Sequence, residues 1–82
     1  MISDVDLLLH MVKGELMMAR EKHPAFHSAH EGYAVILEEL DELKEEVWKK
    51  NSKRDITNMR RECIQVAAMA VRFHLDLLKR GE

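Results

Sequence analysis

Two stretches of the chain carry the residues that could do chemistry. Glu38, Glu39 and Glu42 fall within residues 31–48, EGYAVILEELDELKEEVW, and Glu62 and Gln65 fall within residues 62–73, ECIQVAAMAVRF. Residues three or four apart in a helix share a face. Glu39 with Glu42, and Glu62 with Gln65, can therefore each direct two oxygen ligands at one point between two helices. Taken alone, acids on a helix are a solvated face. Two details argue otherwise here. Ala34 and Val35 lie one turn before Glu38 and Glu39, so the acidic side begins apolar and faces protein. Glu38 and Glu42 are also like charges at i, i+4, a destabilising spacing that Lys44, Lys49 and Lys50 relieve only in part. A bound divalent cation would resolve the repulsion.

The elements that must position these residues read as three long helices. Ser3 is a good N-cap for a first helix over residues 4–22, with Asp4 and Asp6 at the positive end of its dipole. Val5, Leu8, Leu9, Val12 and Leu16 form one apolar stripe, and Leu7, Met11 and Met18 a second beside it. That face is wider than a single partner helix needs. The chain breaks at residues 23–29, HPAFHSA, where Pro24 biases the preceding residue away from helix. Ser28 followed by Glu31 is a capping box that opens a second helix over residues 29–50. Its expected core stripe is Tyr33, Ile36, Leu37, Leu40, Leu43 and Val47. A polar turn, NSKRD at residues 51–55, leads through an Asp55 N-cap into a third helix over residues 56–80, with Gly81 as its stop.

Between Ile64 and Val71 the third helix is apolar nearly all round, broken only by Gln65. Such a helix is buried on every side, and three helices cannot enclose one of their own number. The expectation is an all-α fold of three long helices per chain that oligomerises, as a dimer or tetramer, into a helical bundle. Gln65 is then a buried amide that needs a partner. It is either an interhelical hydrogen bond, to a Glu or a backbone carbonyl, or an active-site oxygen.

Composition bounds the function classes. Eighty-two residues make one domain, near the size at which a single core is only marginally self-sufficient. The formal charge of −2 draws the chain neither to nucleic acid nor to an anionic membrane. No stretch approaches the roughly 18 uninterrupted apolar residues of a membrane span, and the acidic N-terminus is unlike a signal peptide. Cys63 stands alone, which excludes an internal disulfide and points to a reducing, cytoplasmic setting. His23, His27 and His30 straddle a Pro-containing loop without a Cys or an H-E-x-x-H arrangement, so they read as surface or capping residues rather than a zinc site.

The order of these features resembles the MazG-like, all-α nucleoside triphosphate pyrophosphohydrolases, in particular their small, single-domain, phage-type members. The likeness covers about two-thirds of the chain. It runs through HPAFHSAHEGYAVILEELDELKEEV, a Pro-aromatic loop, a His-Glu pair and an apolar run into E-E-x-x-E, and resumes at Glu62, which nineteen residues separate from Glu42. Gln65 departs from the pattern, since that family usually has Asp there. The resemblance implies hydrolysis of a nucleoside triphosphate to the monophosphate and pyrophosphate. It implies Mg²⁺, or Mn²⁺ in its place, held by Glu39, Glu42, Glu62 and Gln65, with Glu38 orienting or deprotonating the attacking water. Lys53, Arg54, Arg60 and Arg61, around the start of the third helix, are the cations expected to steer or clamp the triphosphate. Phe26, Tyr33 and Trp48 are the residues available to stack on a base, with core packing as their other fate. The departure at Gln65 supports a second reading, a non-catalytic helical oligomer, nucleotide-binding or protein-interacting, with a degenerate metal site. A plain coiled-coil adaptor would need a stripe longer than the two heptads of residues 33–47.

Overall fold

The structure, a computed structural model, describes residues 2–78. It is all-α. Helix α1 spans Asp4–Lys22, α2 spans Ala29–Val47, and a short 3₁₀ turn at Asn51–Lys53 leads into α3, Ile56–Phe73, which runs on into a π-helical turn at His74–Leu78. The three N-caps act as their residue types dictate. Ser3 Oγ accepts from the Asp6 N–H at 3.1 Å, Ser28 Oγ from Glu31 at 3.1 Å, and Asp55 Oδ1 from Asn58 at 3.1 Å. His23, held ahead of Pro24, is extended at φ −134° and ψ 143° and so ends α1.

Helix α2 stops at Val47, short of the expected Lys50. Arg54 reaches back to donate to the Val47 carbonyl from Nε at 3.1 Å and Nη2 at 2.7 Å, which satisfies a carbonyl the helix leaves open. Glu46 ties the same corner. Its Oε1 accepts from the Asp55 N–H at 2.6 Å and its Oε2 from Lys49 Nζ at 2.9 Å. The expected continuation of the third helix to Arg80 and its Gly81 stop lie outside the described residues.

Helix α3 is the spine, and α1 and α2 each pack against it. Leu16 of α1, Phe26 of the loop after it, and Ala68 and Met69 of α3 form the core, and α2 packs Val35 and Ile36 against it. Gly32 sets how α2 meets α3. A Cβ there would lie 2.6 Å from Cδ2 of Phe73 and 3.1 Å from Cδ2 of Phe26, so the missing side chain makes the space those rings occupy. The rotation this fixes differs from the expected stripe. Ile36, Leu43 and Val47 turn inward and are half-buried, but Tyr33, Leu37 and Leu40 are exposed. In their place Val35, Glu39 and Glu46 face protein, because the inward face is centred on Gly32 and continues at helical spacing from it.

The other two apolar faces are only partly used. On α1, Leu16 is buried and Val12 and Ala19 half-buried, while Leu7, Leu8, Leu9, Met11 and Met18 are exposed. On α3, Ala68 is fully covered, but Ala70 and Val71 face outward. Within one chain the third helix is therefore not buried on every side.

The loop between α1 and α2 is clamped from the far end of the chain. Asp76 Oδ2 accepts from the Phe26 N–H at 2.9 Å and from Arg72 Nε at 3.2 Å. Arg72 Nη2 donates to the carbonyls of His23, at 2.9 Å, and Pro24, and the guanidinium lies 4.9 Å over the Phe26 ring. Arg72 is only 3% exposed, so the charge sits among fixed partners rather than in water. Among the described residues no helix is long and apolar enough to cross a membrane.

Candidate metal centre

Glu62, Gln65, Met69 and Arg72 recur every three or four residues along α3, and the last three line a floor beneath α1 and α2. The acid pair comes from α2, which packs on that floor. One carboxylate oxygen from each of Glu39, Glu42 and Glu62 lies within 4.8 Å of the others. Oxygens in one coordination sphere, each about 2.1–2.5 Å from a cation, lie up to about 4–5 Å apart. The three groups therefore suit a single hard ion, and the i, i+3 spacing of Glu39 and Glu42 is what lets one helix supply two of them.

The electrostatics agree with the geometry. The Glu39 carboxyl is pushed up to about 7, first by burial and then by repulsion from Glu42 and Glu62. Glu62 is raised as well, by burial and by Glu42, with a hydrogen bond to Glu39 and then the Arg61 charge pulling the other way. Glu62 Oε2 is buried without a hydrogen-bond partner among the described residues. A buried carboxylate oxygen with no donor is costly. Acids that burden one another and an acceptor left open are chemistry a cation satisfies, so the Glu39, Glu42 and Glu62 cluster could bind a metal ion.

Beside the cluster a cleft of about 630 Å³ opens between α1 and α2, within the range of small-molecule sites. Glu38 and Glu39 stand on its α2 wall, Glu15 on its α1 wall and Gln65 on its floor. Gln65 is half-buried, and its Nε2 donates to Glu15 Oε1. Of the two fates open to this amide in the sequence, the interhelical hydrogen bond to a Glu is made.

The four expected phosphate cations do not line the cleft, whose cations are Lys22 and Arg72. Arg54 caps α2. Arg60 and Arg61 border a smaller groove with Met11 and Thr57, and Arg61 donates to Asn58 Oδ1 at 3.2 Å. Lys53 lies exposed in the 3₁₀ turn. Of the stacking candidates, Phe26 is in the core and borders the cleft. Trp48 is exposed, with Lys44 Nζ 5.7 Å from its ring, and Tyr33 is exposed on the outer face of α2. His23, His27 and His30 are exposed, and His27 Nδ1 lies 3.3 Å from Glu31 Oε2.

Glu15 and Arg72, which line the cleft, and Asp76, which holds Arg72, are residues that sequence reasoning passed over. Arg72 and Asp76 at i, i+4 were the one local trace of the clamp. Glu15 gave none, because its partner lies fifty residues away. Comparison with family models, with curated proteins and with solved structures returns no match.

Proposed function

We propose that the chain is a MazG-like, metal-dependent nucleoside triphosphate pyrophosphohydrolase. The observation that carries this reading is the convergence of Glu39, Glu42 and Glu62 within 4.8 Å from two helices, beside a cleft of about 630 Å³. When bound, Mg²⁺ would polarise phosphate oxygens and offset charge developing at the α-phosphorus. The chain's own residues do the rest. Glu39, Glu42 and Glu62 hold the acidic corner, and Glu38 takes a proton from the water that attacks the α-phosphorus. The new bond joins that water oxygen to phosphorus, the bond to the bridging α–β oxygen breaks, and pyrophosphate leaves. Lys22 meets phosphate oxygens at the cleft wall, while Lys53, Arg60 and Arg61 supply a steering field from outside it.

The same reading includes a homo-oligomer in which a second copy covers the exposed stripes of α1 and α3. One observation favours the non-catalytic alternative: the Gln65 amide, where the resemblance places an acid, is engaged with Glu15. A screen of pyrophosphate release from each nucleoside triphosphate with Mg²⁺ or Mn²⁺ separates the two. Turnover that is lost in Glu38→Gln and Glu62→Gln supports the enzyme. Metal and nucleotide binding without release of pyrophosphate from any triphosphate favours the binding module.

A further inference from the structure

A carboxamide has two unlike corners, an NH₂ that donates and an oxygen that accepts, and a carboxylate can only accept from it. Gln65 Nε2 faces Glu15 Oε1 across the cleft floor, and this contact decides which way the amide is turned. Its NH₂ is committed to α1. Its oxygen is the corner that Glu15 does not use. Gln65 lies three residues from Glu62 on α3, and it shares the cleft with Glu38 and Glu39 of α2. Without an acceptor on α1, nothing on that side would prefer one orientation of the amide over the other.

We infer that Glu15 is a positioning residue for the metal centre. By accepting the Gln65 N–H it holds the amide so that its oxygen, and not its NH₂, is the group offered toward Glu39, Glu42 and Glu62. A neutral oxygen ligand then completes the site where the acid is missing. This rests on the proposed metal-dependent reading. The chemistry is that of an outer partner that orients a ligand, a role whose loss typically weakens metal affinity by about 10–100-fold. It also explains why a chain with Gln at this position carries an acid on the facing helix. An Asp or Glu at position 65 would need no such orientation, since both of its oxygens accept.

The test is Mn²⁺ affinity, measured by electron paramagnetic resonance on the full chain, with folding checked by circular dichroism. Glu15→Gln removes the charge but keeps an accepting oxygen in place. Glu15→Met keeps the length and removes both. The expected result is affinity within about twofold of the unmodified chain for Glu15→Gln and a loss of about tenfold or more for Glu15→Met. Gln65→Met should lose a similar amount, and adding Glu15→Met to it should cost no more, because there is no amide left to turn. Equal losses in Glu15→Gln and Glu15→Met would mean that Glu15 acts through its charge and would overturn the inference. Unchanged affinity in a folded Glu15→Met would make the contact purely structural and overturn it too. Failure of the unmodified chain to bind Mn²⁺ would instead remove the metal-dependent reading itself, and the inference with it.

Discussion

Glu39 keeps its proton up to about pH 7, against an ordinary value of 4.5. Between those values the folded chain binds more protons than the unfolded one, so stability falls as pH rises through that window. Glu62, also raised, works in the same direction. Glu46 is lowered by the Asp55 N–H and by Lys49, so its contribution is lost only as pH falls below the ordinary range of a carboxylate. Thermal melts of the metal-free protein should therefore be lower at pH 8 than at pH 5.5. After discounting for solvent screening the difference is about 1 kcal/mol, or a few degrees for a chain of this size. Glu39→Gln should flatten that slope, and saturating Mg²⁺ should reverse it. A slope that survives both changes would place its origin outside the cluster. Gln65→Asp is the complementary probe. It exchanges an amide donor for a second carboxylate facing Glu15, so the metal-free protein should lose about 1–3 kcal/mol and regain it on adding Mg²⁺. A loss that Mg²⁺ does not rescue would make Gln65 a core amide alone. The spacing of Glu39, Glu42 and Glu62 was legible in the sequence because helical periodicity is local. The Glu15 contact was not, because nothing in a sequence states which turn of α1 lies over which turn of α3.

At the scale of the elements, the helix starts were legible and the rotations were not. Ser3, Ser28 and Asp55 announce their helices through side chains that reach only three residues. The inward face of α2 depends instead on Gly32 meeting Phe73, a contact made by packing. For that reason Tyr33, Leu37 and Leu40 were assigned to the core and are exposed. The Arg72–Asp76 pair is the second element-scale device, and it should behave as a unit. Arg72→Met alone leaves a buried carboxylate with a single donor, the Phe26 N–H. Asp76→Leu alone leaves a buried guanidinium without its carboxylate. Each should cost about 3–5 kcal/mol in urea denaturation. The double variant should cost clearly less than the sum, because neither charge is then left unpaired. Strict additivity would show that the two side chains support the loop independently.

Over the whole molecule, the three-helix, all-α class followed from length, periodicity and the capping residues. What a single chain leaves uncovered is the more informative feature. Leu7, Leu8, Leu9 and Met11 on α1 and Val71 on α3 remain exposed around a four-residue core. Sedimentation should give a dimer or larger at micromolar concentration, with a melting temperature that rises with protein concentration. Leu8→Lys with Met11→Lys should shift the species toward monomer and lower that temperature. A stable, folded 9.6 kDa monomer would refute the assembly.

The clamp on the α1–α2 loop also has a consequence for the order in which the chain is made. A ribosome releases residues 23–26 well before Arg72 and Asp76, whose side chains hold that loop. Helices α1 and α2 each dock on α3, so neither has its main partner while the first half of the chain is emerging. The nascent chain thus carries two apolar helices and an untied corner until α3 and the turn that follows it appear. The loop cannot close before residue 76 has emerged, and a stop codon anywhere before Asp76 yields a chain that lacks the groups needed to close its own first loop.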